Sequence, residues 1–170
     1  MSGEPQRSRR FGWTWLFLWV LFGLALEAAH GFKLSLYLDD GLRRSLLRLA
    51  HAHGVILALV VLAYGEAGVP LLLAHPASPP GNAAGAGAVA VAVAVGRLLR
   101  AGAILVPTGF ALSAIHASES DPALPILLVP LGALALLAAI GRIAHSAWLR
   151  RPNPPPPPPL QSAKPTDEAK

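Results

Sequence analysis

The chain has 170 residues, room for one domain, and is 54% hydrophobic with only 14% charged residues. A soluble domain carries about 25% charged residues, and a chain this short cannot hide the difference in a larger core, so much of its surface faces something other than water. The net charge is +5, but the arginines flank apolar runs instead of forming a basic face, which excludes a nucleic-acid partner, and the lack of cysteine excludes disulfides, thiolate metal sites and cysteine nucleophiles.

The first apolar run is Phe11 to Ala29. It follows Arg7, Arg9 and Arg10 and carries Trp13, Trp15 and Trp19 near its start. A basic flank, an aromatic belt and then an apolar stretch mark a membrane-crossing helix. At about 1.5 Å per residue the run covers about 28 Å, one hydrocarbon core. That is longer than the apolar region of a cleaved signal peptide, about 7–15 residues, so the helix is expected to be retained. A polar connection follows over residues 31–45, with a turn at Asp39, Asp40 and Gly41.

The second run, Leu46 to Tyr64, has Arg48, His51 and His53 in its first two turns, and Glu66, Gly68 and Pro70 are expected to end it. Residues 76–87, rich in Pro, Gly, Ala and Ser, read as a loop. Ala88 to Val95 alternates Ala and Val. That period suits a strand, but a lone strand cannot cross a bilayer with its backbone unsatisfied, so the segment is read as helix leading into a third span over residues 97–117. Pro107 is expected to kink that span. Were the helix to begin at Ala88, Arg97 and Arg100 would lie deeper and have to snorkel or find partners. After an acidic connection, a fourth span covers residues 123–141, flanked by Arg142, His145, Trp148, Arg150 and Arg151.

The predicted fold is therefore all-α: an integral membrane bundle of four transmembrane helices, multi-pass, with a short basic N-terminal segment over residues 1–10. Placing the N-terminus inside puts eight Lys and Arg on that side against four on the other. This predicts cytoplasmic N- and C-termini and a cell (inner) membrane location. A composition rich in Arg, Ala, Leu and Val fits a GC-rich bacterial coding sequence. Residues 152–170, with six consecutive prolines, read as a disordered cytoplasmic tail.

The chemical lead is histidine. This topology brings His30 at the end of the first span, His51 and His53 at the start of the second and His116 at the end of the third to one membrane face. Imidazoles from several helices at one depth are what a bundle uses to hold haem b or a transition metal. Glu27, three residues before His30, shares its helix face, so Glu27, His30, His53 and His116 form one expected metal set. The four histidines form the expected haem or metal ligands. The blander reading is that histidines simply suit an interface. Gly102, Gly109, Gly132 and Ala135 are expected to let helices pack closely.

No phosphate-binding loop, nucleophile elbow or H-E-x-x-H motif is present, so an enzyme is not expected. The leading expectation is a structural or accessory membrane subunit whose partners are the lipid bilayer and other membrane proteins. The alternative is a haem- or metal-binding membrane protein in electron transfer, and a weaker one is a small transporter or channel subunit.

Overall fold

A computed structural model describes residues 3–73, 83–117 and 121–148. The proline-rich tail, His75 and Glu119 lie outside the described residues. The described chain is helical throughout its ordered elements, with no strand, and four of its helical segments are long and apolar enough to cross a membrane. The chain is an all-α membrane protein with four spans.

α1 runs Glu4–Gly31, seven residues upstream of the apolar stretch. Pro5 sits in its first turn, where a missing N–H costs nothing. Its buried positions include Glu4, Ser8, Gly12, Trp19 and Gly23, a single stripe at helical spacing. A short turn of helix, α2 (Ser35–Leu38), interrupts the polar connection. α3 (Gly41–Ala63) starts at Asp40, whose Oδ1 accepts the Arg43 amide at 2.9 Å as an N-cap.

Glu66, Gly68 and Pro70 do not end the second span. The helix widens to a π-helical turn over Tyr64–Gly68 and continues as α4 (Val69–Leu73), giving one segment from Gly41 to Leu73. Pro70 cannot donate to the ladder, and the wider turn passes the chain to it with the Val69 amide bonded to Tyr64 O.

α5 (Ala83–His116) absorbs the Ala-Val alternation into one continuous helix. Ala92, Val95, Leu99, Ala103 and Val106 are its buried stripe, at helical spacing and not at the strand period. The helix passes through Pro107 unbroken. A 3₁₀ turn (Leu124–Leu127) leads into α6 (Leu128–Trp148).

Packing follows chain order. α1 packs on α3, α3 on α5 and α5 on α6; α1 also touches α5, whereas α1 and α6 share no substantial contact. The spans thus form an open row with α3 and α5 in its middle. Exposed apolar side chains cover the outer spans, among them Trp13, Phe17 and Leu24 on α1 and Leu134, Leu137 and Trp148 on α6. In a bilayer such faces cost nothing, because lipid tails are as apolar as the side chains. The α5–α6 contact is made at glycines. A side chain at Gly102 would meet Leu136, one at Gly109 would meet Val129, and one at Gly132 would meet Val106.

Candidate functional site

The open row decides what the histidines can do. His51 and His53 are two residues apart and so point in nearly opposite directions. Because α3 has a helix on each side, both meet protein. His51 turns to α1, where its Nδ1 lies 2.9 Å from Trp19 O. Its ring fills the space that Gly23 leaves by having no side chain. Trp19 returns the arrangement, filling the space left by Gly54 on α3. His53 turns toward α5, its ring centroid 5.2 Å from that of Phe110, with Nδ1 2.8 Å from Leu49 O in its own helix.

His30 and His116 lie further along. His30 is seven residues past Gly23, about 10 Å of helix rise, and its ring meets Tyr37 edge-on at 6.4 Å. His116 is six residues past Phe110, about 9 Å, exposed, with Nδ1 2.9 Å from Leu112 O. Glu27 is exposed and forms no ion pair among the described residues. Among the described residues no group of three or more His, Asp or Glu is placed to share a metal ion. The structure brings the four histidines to one end of the row but not to one point. His51 faces the first span, His53 the third, and the other two stand further out.

One detail is chemical. A carbonyl only accepts, so His51, His53 and His116, when neutral, each hold the proton on Nδ1 and the lone pair on Nε2. That is the tautomer a histidine uses to ligate metal or haem iron through Nε2.

At the opposite end of the row lies a polar cluster that sequence reasoning missed. Glu4 is only 7% exposed. Its Oε1 accepts from Arg100 at 2.5 Å and from Ser8 Oγ at 3.2 Å, and Arg100 also donates to Ser8 Oγ at 3.2 Å. The carboxylate occupies a notch at Gly96, one turn before Arg100. Glu4 Oε2 is buried without a hydrogen-bond partner among the described residues. Beside it, Tyr64 donates its hydroxyl to Ala92 O at 2.5 Å. Arg9 and Glu66 pair at 2.8 Å on the exposed rim. Arg100 thus finds the partner its depth demands, while Arg97 is exposed. The local signal was only Glu4 and Ser8 four apart; the pairing with Arg100 spans 96 residues, and nothing in the sequence reports it.

Searches against protein families, curated proteins and solved structures return no match to this chain.

Proposed function

We propose that this chain is a structural or accessory subunit of a membrane assembly, without chemistry of its own, lying in the cell membrane with both termini cytoplasmic. The observation that carries the reading is where the polar side chains of the spans go. Trp15 donates to Ala103 O at 2.9 Å, His51 bonds Trp19 O, Tyr64 bonds Ala92 O, and Glu4 bonds Arg100. Each joins one helix to another. Inside a membrane, ionisable and polar groups are expensive and generally mark function; here they serve as clasps between spans. The two ends of the row leave α1 and α6 open to lipid or to other membrane proteins. Blue-native electrophoresis of tagged chain from its own membranes, in a mild detergent, tests this. Migration within a larger hetero-assembly is the expected result, and a lone chain, or an assembly of this chain only, overturns it.

A second reading is haem or transition-metal binding, with a role in electron transfer, and one observation favours it: the shared Nδ1-bonded tautomer that leaves Nε2 on His51, His53 and His116 as a lone pair. Oxidised and reduced absorption spectra with elemental analysis decide it. A Soret band, or stoichiometric metal lost when His30, His53 and His116 are replaced together, would make this the working reading.

A further inference from the structure

The face of α1 turned away from the rest of the row repeats at alternating steps of three and four residues: Arg10, Trp13, Phe17, Val20, Leu24 and Glu27, all of them exposed. That spacing is the seam along which one helix packs on another at a shallow angle, the usual geometry of membrane bundles. The apolar part of the seam is satisfied by lipid alone. Glu27 is not. It stands seventeen residues past Arg10, about 26 Å of helix rise, whereas the hydrocarbon core is about 30 Å thick. With Arg10 at one boundary, Glu27 has not yet reached the other. A glutamate lacks the long stem by which Lys and Arg carry their charge out to the interface. Glu27 has no ion pair or hydrogen bond among the described residues. His30, three residues on, is turned to Tyr37, and the other carboxylate of α1, Glu4, is paired with Arg100.

An ionisable group at membrane depth generally has a partner of opposite charge, and here the chain itself supplies none. We propose that this face of α1 docks a transmembrane helix of a different protein, one that presents an Arg or Lys to Glu27 and lays an apolar stripe on Phe17, Val20 and Leu24. The inference rests on the accessory-subunit reading and names the place where the assembly is joined. The charges argue that the partner is not a second copy. In a symmetric pair of parallel helices each seam position meets its own counterpart, so Arg10 would face Arg10 and Glu27 would face Glu27. Only two copies inserted in opposite senses would match the charges, and the eight-to-four bias of Lys and Arg opposes that. α6 is exposed too, at Leu131, Leu134, Leu137 and Ile140, but that stretch carries no charge and selects no partner.

The test has two arms, both on the full chain in its own membranes. In the first, blue-native electrophoresis in mild detergent gives the ratio of assembled to lone chain. Glu27→Gln and Phe17→Ala should each lower that ratio roughly tenfold, the size of one charge-assisted hydrogen bond or one well-packed ring. Leu137→Ala on α6 should leave it unchanged. Both α1 residues are exposed in the lone chain, so its melting temperature should not move with either change. In the second arm a photoreactive benzophenone replaces the Phe17 ring, and the crosslinked peptide is sequenced. It should be an apolar span of another protein with an Arg or Lys at the depth of Glu27. A hetero-assembly whose ratio survives Glu27→Gln or Phe17→Ala, or falls equally with Leu137→Ala, overturns the inference and leaves the accessory reading standing. A crosslink to a second copy, to lipid alone or to a span without a cation overturns it as well. A parent chain that migrates alone or only with itself removes the accessory reading, and this inference with it.

Discussion

The indole of Trp15 on the first span donates to the carbonyl of Ala103 on the third, at 2.9 Å, and Ala103 stands four residues before Pro107. In a regular helix that carbonyl would accept from residue 107, but proline has no N–H. The oxygen is in the buried stripe of α5, away from water. An orphaned buried carbonyl costs about 1–3 kcal/mol, and in a bilayer a neighbouring helix is what can satisfy it. Trp15 does so, which explains both an unbroken helix through Pro107 and the contact of α1 with α5. Trp15→Phe keeps the ring and removes the donor. We expect a loss of about 1 kcal/mol, in the range of hydrogen bonds between membrane helices. In a Pro107→Ala background residue 107 regains its N–H, so the same change should cost much less. Thermal unfolding of the four proteins in detergent gives the coupling; equal costs in both backgrounds would show that the indole bond does not compensate the proline.

The Trp19–Gly54 and His51–Gly23 contacts make a reciprocal joint between α1 and α3, each ring lying where the opposite helix has no side chain. A methyl group at either glycine collides with a ring, so Gly23→Ala or Gly54→Ala should destabilise by about 1–3 kcal/mol, the usual cost of overpacking. The pairing gives a sharper test than either single change. His51→Ala empties the space beside Gly23, so Gly23→Ala should be tolerated in that background. Additive losses in the double variant, measured by the same unfolding assay, would rule out the joint.

At the other end of the row, Glu4 and Arg100 are both largely removed from water, with side chains 4% and 18% exposed. Removing one partner of such a pair leaves a charge without compensation, which costs about 3–5 kcal/mol. Removing both at once leaves none. Glu4→Ala or Arg100→Ala should therefore lower the melting temperature more than the double variant would suggest by addition. The double variant should stay closer to the parent than the sum of the two single losses. Strict additivity would mean that the pair is solvated and contributes little.

These clasps explain what the sequence could and could not reveal. The four-span architecture was legible because long apolar runs with basic and aromatic flanks have one physical use. The helical reading of Ala88 to Val95 followed from backbone satisfaction in lipid, against the local period, and α5 is helical there. The glycines of α5 and α6 were legible as contact points because only small residues let helices approach. Three things were not. Pro70 looked like a stop, since a π-helical turn leaves no mark in composition. Glu4, within the basic N-terminal segment, carried no signal, since its partner is nearly a hundred residues away. The histidines looked convergent because chain order fixes depth along a span but not the direction in which a side chain points. That direction depends on whether the helices close into a ring or form a row, and α3, flanked on both sides, sends His51 and His53 to different neighbours.

The orientation of the row is open to a direct test that the chain's own composition makes clean. It has no cysteine, so any single introduced thiol is labelled against no background. Asp39 and His145 are exposed and lie at opposite ends of the row, the first just before α3 and the second near the end of α6. With the N-terminus inside, the Lys and Arg count places Asp39 outside and His145 inside. The excess is eight to four, a bias strong enough to set topology but opposed by the basic connection that carries Arg43, Arg44 and Arg48. In intact cells a membrane-impermeant maleimide should label Asp39→Cys and leave His145→Cys unlabelled until the membrane is opened. The reverse pattern would invert the row. The Glu4–Arg100 clasp would then stand on the outside. Labelling of both positions in intact cells would mean a mixed population, the outcome expected if the arginines around α3 compete on equal terms with those at the two ends of the chain.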